Sequence, residues 1–351
     1  MTTLRAALVT PLSGPLAVFG RAGASALRLW AERAAQARAD FTQVDLELVD
    51  AHPSAAFAMQ AAAARQPHVL FGPYGAGLAL AALGATQQLV WNHGGATDRL
   101  RWPRFPNVLN VPAPASTYFA AVLHALRDAD DTLRTVTLLH GHTGFAREVA
   151  RGALDSASHL DFVVHAHEFR PGQINSLAPT LPAADVLLVV GAFDDERTAA
   201  RILLPGAWRA AAFVSAGVDE VLGDLGDARS NLLGPCQWLA DAAPEPDEGP
   251  SADWFARAYR DATEEDPPYP AAAAFAAGVL CARALREVDS LDPAAIRQAV
   301  ATMRPRTLFG QFALDPASGL QVGHVVLVTQ WQDGARRAVW PASHASAALR
   351  L

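Results

Sequence analysis

The sequence predicts an α/β fold of two doubly wound parallel-sheet lobes, and three observations lead to this prediction. The chain has 351 residues, which is more than one ordinary domain holds and enough for two. Short apolar segments typical of strands alternate with longer Ala-rich segments typical of helices, which is the order of βαβ units. With 51% hydrophobic and 18% charged residues, each lobe has the apolar side chains that a core requires.

The first lobe begins at the amino terminus, where Gly, Pro and Ser residues separate the predicted elements. Strands are expected over 4–10, 44–50, 68–72 and 89–92. Helices are expected over 20–38, from Pro53-Ser54 to the residue before Pro67, and over 76–88.

The second lobe follows the Pro-rich segment 111–114 and repeats the same alternation. Strands are expected over 134–139, 162–168, 185–190 and 211–215, and helices over 115–127, 145–157 and 194–204. The acidic, Pro-rich segment 241–250 predicts a surface loop. Three helices are expected after it, over 252–261, 271–287 and 293–302. A hairpin closes the chain, because Asp333-Gly334 is a turn signal between the strands expected over 324–331 and 336–340.

Composition and charge exclude several classes of protein. The formal charge of −7 disfavours nucleic acid as a partner, because that partner requires a basic surface. No run of about eighteen apolar residues occurs, so no membrane insertion is expected. No apolar segment of the length of an export signal follows Met1, and the chain is therefore expected in the cytoplasm if the sequence is complete. Cys236 and Cys281 form no CxxC pair, and two free buried thiols are expected, with a disulfide between them left open.

The sequence also lacks the usual signatures of catalysis. Neither GxSxG nor GxxxxGK[ST] occurs, and no GxGxxG follows the first strand. Residues 72–77 (GPYGAG) lack the Lys and Ser/Thr of a phosphate loop. His140 and His142, like His165 and His167, alternate along a strand, but no third ligand of defined spacing accompanies them. We therefore expect no catalytic residue, no cofactor and no metal site.

Several short motifs stand together in the order and spacing of a known family. The first is TPLSGP at 10–15, followed by Phe19-Gly20. The second is FGPY at 71–74 and the third is GAT at 95–97. Near the end stand Pro268-Tyr269, LFG at 308–310 and Gln330-Trp331. Together they resemble the type 1 periplasmic-binding fold, on the branch of the leucine/isoleucine/valine-binding proteins.

This resemblance implies a ligand cleft between two lobes. Lobe one is expected to hold residues 1–113 plus 247–320, and lobe two residues 114–246 plus 321–351. Three hinge crossings are then expected, near 112–116, 240–246 and 319–323. Open α/β sheets bind ligands at the carboxyl ends of their strands, which agrees with this arrangement.

The first lobe offers two polar loops for a ligand. A helix that starts at Gly75, Ala76 and Gly77 would present free backbone N–H groups to an anion or a carbonyl, although small residues can also serve a tight turn alone. In the next loop, Thr97 could donate its hydroxyl beside the N–H groups of Gly95 and Ala96, or could cap the turn before Asp98. His93, in the same loop, could contact the ligand or cap a strand.

Aromatic walls are expected where a ligand is enclosed. The residues that match cleft positions of the resembled family are Phe19, Tyr74, Phe193 and Tyr269. Core packing is the alternative for each of them. Thr143 and Phe145 could contribute from the second lobe.

The position of Ala216 separates this chain from the amino-acid-binding members of the resembled family. Those members place a glutamate there to hold the ligand ammonium, and an ammonium buried without a carboxylate is penalised by several kcal/mol. We therefore expect a small carboxylate, an aromatic acid or an amide rather than a standard α-amino acid. Asp194 or Asp219 could supply a substitute acid.

Two functions are compatible with these patterns, and neither is enzymatic. The resemblance implies a solute-binding component of an ABC-type importer, periplasmic or extracellular, with a small-molecule ligand and an ABC permease as partners. The alternative is a cytoplasmic ligand sensor of the same fold that signals to a regulatory protein partner. An in-frame leader upstream of Met1 in the encoding DNA would distinguish the importer component from the sensor.

Overall fold

The computed structural model describes residues 2–34 and 41–351, which form two compact units. Unit 1 comprises Met1–Pro114 and Trp238–Val325, and unit 2 comprises Ala115–Gln237 and Val326–Leu351. The last part of the helix predicted over 20–38 lies outside the described residues. In the part of the chain that the structure describes, no helix has the length and apolar character needed to cross a bilayer.

The first segment of unit 1 builds a five-stranded sheet. Its strands are β1 (Thr2–Thr10), β2 (Phe41–Asp50), β3 (Val69–Phe71), β4 (Val90–Asn92) and β5 (Val108–Asn110). Their order in the sheet is β2-β1-β3-β4-β5, and every pair is parallel. The helices between them are α1 (Ala17–Leu29), which continues as a π-helical segment Trp30–Ala34, α2 (Ala55–Ala64) and α3 (Ala76–Leu83). This is the doubly wound sheet that the sequence predicts, with β5 as an additional strand.

Unit 2 builds a seven-stranded sheet. Its first strands are β6 (Thr135–Gly141), β7 (Val163–Phe169), β8 (Val186–Val190), β9 (Ala210–Phe213) and β10 (Leu233–Cys236). The helices are α4 (Thr117–Ala129), α5 (Gly144–His159), α6 (Ile174–Leu177), α7 (Phe193–Leu203) and α8 (Asp219–Leu222), with 3-10 segments at Ala178–Thr180, Val214–Gly217 and Gly223–Arg229.

The chain then returns to unit 1 before it ends in unit 2. Unit 1 receives a 3-10 turn (Ala240–Ala242), α9 (Ala252–Thr263), α10 (Tyr269–Val288), α11 (Pro293–Thr302) and a small hairpin of β11 (Arg306–Thr307) and β12 (Gly310–Gln311). Unit 2 receives β13 (Leu327–Gln332) and β14 (Ala335–Trp340), which pair antiparallel as the predicted hairpin. The sheet order is β14-β13-β10-β9-β8-β6-β7, and the strands from β10 to β7 are parallel.

Strand alternation places the two cores of unit 1 on opposite faces of its sheet. Leu4, Ala6 and Leu8 of β1 pack in one core with α1, α9 and α10. Ala7 and Val9 pack in the other core with α2 and α3. The sheet is therefore covered on both faces, as parallel sheets are in general.

The unit boundaries differ from the expected lobes at Pro114, which belongs to unit 1, and in two longer segments. Residues 238–246 belong to unit 1 rather than to the second lobe, because the Trp238 indole donates to the Leu308 carbonyl at 2.9 Å and its ring lies against Phe255. Residues 321–325 also belong to unit 1. There the Gln321 amide donates to the Val111 carbonyl at 3.3 Å, and the His324 ring stacks on Phe309. The strand predicted over 324–331 accordingly begins only at Leu327.

The close packing of α1 on α10 depends on Gly278. A Cβ built on Gly278 would lie 2.5 Å from the fully buried ring of Trp30. Gly77 of α3, by contrast, has no atom within 4 Å of such a Cβ.

We predict opposite effects of alanine at these two helical glycines. Gly278→Ala should lower the free energy of unfolding by about 1–3 kcal/mol through overpacking. Gly77→Ala should leave it unchanged or raise it by at most about 1 kcal/mol, because alanine favours a helix. Thermal and urea unfolding of both variants checks this, and a Gly278→Ala variant as stable as Gly77→Ala would contradict the described packing.

Candidate functional site

The parallel strands of unit 1 end at one edge of the sheet, so the loops that follow β1, β3 and β4 lie beside one another. The loop after β1 is held by Asp50, the last residue of β2. Its carboxylate accepts the Leu12 N–H at 2.9 Å, the Ser13 hydroxyl at 2.6 Å and the His52 N–H at 3.0 Å. Burial acts to raise the pKa of Asp50, but these hydrogen bonds outweigh it and hold the pKa below its ordinary value.

The loop after β4 is held in the same way by Asn92, the last residue of that strand. Its amide oxygen accepts the Gly95 N–H at 2.8 Å, and its amide nitrogen donates to the Gly95 carbonyl at 2.8 Å and to the Asn110 side chain at 2.8 Å. The N–H of Gly95 is therefore already bonded, which corrects its expected role as a donor to a ligand. Ala96 is half-buried in the same loop.

Three predicted aromatic residues meet at this edge. Phe19 stacks on Tyr74, with ring centroids 4.8 Å apart, and the Tyr74 and Tyr269 rings lie 6.2 Å apart. The hydroxyls of Tyr74 and Tyr269 share a hydrogen bond of 2.6 Å. Phe19 is buried, whereas the two tyrosines are half-buried. The loops after β1 and β3 and the start of α10 thus form one aromatic cluster.

The helix start beside this cluster offers fewer donors than expected. The Gly75 N–H donates to the Gly94 carbonyl at 3.0 Å, so Gly75 is not a ligand donor in this structure. Its φ of +97° favours glycine and turns the chain into α3. The N–H groups of Ala76 and Gly77 follow, in the first turn, where no carbonyl one turn back within the helix accepts them.

Thr97 and His93 are both buried beneath this edge. The Thr97 hydroxyl accepts the Arg99 N–H at 3.3 Å, which is the turn-capping arrangement considered as the alternative to ligand binding. The His93 ring is 1% exposed and lies beside Gly23 of α1, and neither ring nitrogen has a hydrogen-bond partner on another described residue. Burial lowers the pKa of His93 to about 4, so this imidazole is neutral at pH 7.

In unit 2, the predicted residues lie after β6 and β8. Thr143 caps α5 by accepting the Ala146 N–H at 3.2 Å, and Phe145 packs edge-on against Tyr118 with ring centroids 5.8 Å apart. Phe193 is half-buried and opens α7. These residues are brought to the carboxyl ends of the unit 2 strands.

Ala216 lies in the 3-10 turn after β9 and is 1% exposed. A Cβ on Gly234 of β10 would lie 3.0 Å from the Ala216 methyl, so this methyl packs inside the unit. Ala216 therefore shapes the turn from within, and the structure does not place its side chain on a surface.

The four strand histidines form no metal cluster. The His140 Nδ1 lies 4.0 Å from the Glu168 carboxylate, which pairs with Arg147 at 2.7 Å. Across residues 2–34 and 41–351, no three His, Cys, Asp or Glu side chains stand where they could share a metal ion. Neither Cys236 nor Cys281 is part of a disulfide, and both are buried.

Comparison with known proteins identifies the family. A family model described as "Periplasmic binding protein" matches residues 3–336. The chain belongs to the periplasmic binding protein family. This confirms the resemblance and the fold class inferred from the sequence.

Solved structures match this periplasmic binding protein over nearly its whole length. One is an ABC-transporter solute-binding protein from R. palustris in complex with benzoate, with 17% identity, a TM-score of 0.79, and coverage of 99% of this chain and 98% of that chain. Another is LivJ from Streptococcus pneumoniae in complex with isoleucine, with 17% identity, a TM-score of 0.79, and coverage of 97% and 100%. A third, also from R. palustris, is in complex with 4-hydroxybenzoate, with 15% identity, a TM-score of 0.76, and coverage of 95% of each chain. At these identities the likeness establishes the fold.

Sequence reasoning missed the residues that hold the loops of this periplasmic binding protein. Asp50, Asn92 and Asn110 each end an apolar strand, and in unit 2 Glu196 binds the loops after β8 and β9. The signal available in the sequence was an Asp or Asn as the last residue of two predicted strands, at Asp50 and Asn92, since such side chains bind the backbone of a following turn. For Glu196 no such local signal exists, because its partner Ser215 is 19 residues away.

We predict that His93 makes the stability of unit 1 depend on pH. An unfolded histidine takes up a proton near pH 6.5, whereas His93 in the folded protein does so only near pH 4. Between these values the unfolded state binds more protons, so the free energy of unfolding decreases as the pH falls from 6.5 to 4. The decrease due to His93 should be on the order of 3 kcal/mol.

The measurement is urea unfolding at several pH values between 4 and 7, for the wild type and for His93→Gln. The variant should lose stability less steeply over this range. His52→Gln, which changes an exposed histidine of unit 1, serves as the control. Equal slopes for the wild type and His93→Gln would contradict the described burial of His93.

Proposed function

We propose that this protein binds a small carboxylate, an aromatic acid or an amide-like molecule as the solute-binding component of an ABC-type importer. The observation that carries the proposal is the aromatic cluster of Phe19, Tyr74 and Tyr269 beside the uncharged donors at the start of α3. Among the ligands considered, an aromatic acid uses both features.

The aromatic cluster favours a flat, apolar ring. Stacked or edge-on aromatic pairs contribute about 0.5–1.5 kcal/mol beyond the burial of area. The hydroxyl pair of Tyr74 and Tyr269 adds polar atoms at the margin of the cluster. The N–H groups of Ala76 and Gly77 lie at the positive end of the α3 dipole, which favours a carboxylate.

The acids in the strand-end loops of unit 2 disfavour a ligand ammonium. Asp194 has a 93% exposed side chain and pairs with Arg197 at 2.8 Å. Asp195 accepts the Gly172 N–H at 3.3 Å, and the carboxylate of the buried Glu196 accepts N–H groups from Gly191 and Ser215. The side chain of Asp219 lies outside the described residues. None of the described acids in these loops is both buried and unbonded, as an ammonium site would require.

The solved relatives include proteins that bind aromatic acids and one that binds an amino acid. The complexes with benzoate and with 4-hydroxybenzoate show that proteins of this fold bind aromatic acids, while LivJ binds isoleucine at similar structural likeness. The ligand class therefore follows from the chemistry of this chain's residues. Closure of the two units on the ligand and docking on an ABC permease are part of the proposal, in keeping with the family.

The test is calorimetric titration of the purified protein with benzoate, 4-hydroxybenzoate, benzamide, leucine and isoleucine. At least one aromatic carboxylate should bind with a Kd in the micromolar range or below, and leucine and isoleucine should bind at least about a hundredfold more weakly, since an unpaired ammonium costs several kcal/mol. Tight binding of leucine or isoleucine with no binding of the aromatic acids would overturn the proposal.

A matched pair of variants tests the aromatic cluster. Tyr269→Phe removes one hydroxyl of the pair and should weaken binding of the aromatic acid by about three- to tenfold, the effect of one hydrogen bond. Phe57→Ala changes a 72% exposed ring on α2 and should leave the Kd unchanged. Equal affinities of Tyr269→Phe and the wild type would show that the Tyr74–Tyr269 pair takes no part in binding.

A further inference from the structure

Glu196 is a buried acid that joins two loops of unit 2. Its side chain belongs to α7 and is 1% exposed. One carboxylate oxygen accepts the N–H of Gly191, which follows β8, at 3.0 Å. The other oxygen accepts the N–H of Ser215 at 2.8 Å and also the Ser215 hydroxyl, in the turn after β9. The two loops are therefore tied to one side chain.

These loops carry two residues that the sequence predicts at the ligand, of which Phe193 is half-buried and Ala216 is buried within the unit, where it shapes the turn. Phe193 lies between Gly191 and Glu196, and Ala216 directly follows Ser215. The backbone N–H of Glu196 also donates to the Ala192 carbonyl at 3.0 Å, which fixes the start of α7. A change in the bonding of Glu196 must therefore move the segments that carry Phe193 and Ala216.

All three groups that Glu196 contacts here are donors, and this selects the ionised form. A carboxylate accepts all three hydrogen bonds. A protonated carboxyl has a proton of its own to donate, and neither the Gly191 N–H nor the Ser215 N–H can accept it. On protonation the Ser215 hydroxyl must turn to accept that proton. The Glu196–Ser215 hydrogen bond then reverses, and the bonds to both loops lose the strength that the negative charge gives them.

We propose that Glu196 is a positioning residue for ligand binding, whose carboxylate holds the loop of Phe193 and the turn of Ala216 in their binding arrangement. This inference rests on the proposed function. It assigns no ligand contact to Glu196, because both of its oxygens are occupied by protein donors.

The same geometry makes binding depend on pH. Burial raises the pKa of Glu196 to about 7, and the hydrogen bonds from Ser215 and Gly191 oppose this increase. Of the elements packed on α7, β8 and α6 carry no titratable side chain, and the acidic side chains of α8 lie outside the described residues. The 3-10 segment Gly223–Arg229 contributes Asp224, which pairs with Arg201 of α7 and lies 4.0 Å from Arg197. On α7 itself, Asp195 raises the pKa further, while Asp194 pairs with Arg197. Affinity should therefore fall as the pH falls through about 7.

The experiment measures the Kd of 4-hydroxybenzoate or benzoate between pH 6 and 8.5, where a carboxylic acid ligand stays ionised. For the wild type, the Kd should rise about five- to tenfold from pH 8.5 to pH 6, because hydrogen bonds to a neutral carboxyl are weaker than those to a carboxylate. Each carboxylate oxygen of Glu196 accepts one backbone N–H, from Gly191 or from Ser215. In Glu196→Gln one of these oxygens is replaced by an NH₂ group, so one backbone N–H then faces a donor in either orientation of the amide. This variant should bind about tenfold more weakly than the wild type at pH 8.5, with a flat pH profile.

Two further variants show that the effect belongs to Glu196. Glu168→Gln changes an exposed glutamate of unit 2 that pairs with Arg147, and it should keep the wild-type Kd and pH profile. Ser215→Ala removes only the hydroxyl donor, and it should weaken binding about threefold.

Hydrogen exchange of residues 190–196 and 213–218 provides a readout that needs no ligand. At each pH, exchange in Glu196→Gln should be faster than in Glu168→Gln, and the difference should be largest at pH 8.5. Unchanged exchange together with a wild-type pH profile in Glu196→Gln would overturn the inference. If none of the probes binds to the wild type, the proposed function fails, and the exchange measurement still decides whether Glu196 positions these loops.

Discussion

Hydrogen bonds that carboxylate and amide side chains near the ends of parallel strands accept from the backbone of the strand-end loops determine the candidate surfaces of both units. In unit 1, Asp50 and Asn92 bind the loops after β1 and β4, and in unit 2 Glu196 binds the loops after β8 and β9. Parallel strands place these loops side by side at one edge, but the strands alone do not determine their conformation. Each of these polar side chains fixes the conformation of a loop by accepting backbone N–H groups that would otherwise be unpaired.

This constraint decides which groups are left for a ligand. The N–H groups of Gly75 and Gly95 are bonded within the protein, so the donors that remain at the start of α3 are those of its first turn, among them Ala76 and Gly77. In unit 2, the described acids of the corresponding loops are either exposed or bonded within the protein. A ligand with a ring and a carboxylate fits this distribution better than one with a buried ammonium, because the ammonium has no described carboxylate to pair with.

The sequence predicts the elements well where they are long and poorly where they are short. The helix predicted over 293–302 agrees with α11 at both ends, and the hairpin at Asp333-Gly334 is present. The missed strands are β5, with three residues, β10, which contains Gly234 and Pro235, and the two-residue strands β11 and β12. In all four, the local pattern is too short or too interrupted to show strand periodicity. The unit boundary at 238 differs from the expected lobe boundary because it depends on where the Trp238 ring packs, which is a tertiary contact.

The sequence predicts which loops form the candidate site, but it does not predict which groups in those loops contact one another. Phe19, Tyr74 and Tyr269 are brought together as expected from the order of the motifs. Gly75 is lost as a donor because its N–H bonds to Gly94, and Gly95 because its N–H bonds to Asn92. Ala216 is buried because it packs beside Gly234 of β10. Pairings of this kind depend on register and loop conformation, which a single sequence does not encode locally.

The most direct measurement is a crystal structure of the whole chain with 4-hydroxybenzoate bound. The expected result is a ligand ring against Phe19 and a ligand carboxylate that accepts the N–H groups of Ala76 and Gly77. The hydrogen bonds that Asp50, Asn92 and Glu196 accept from their loops should be intact. A ligand bound away from these loops, or a ligand carboxylate held by an arginine with the strand-end hydrogen bonds broken, would contradict this account of the site.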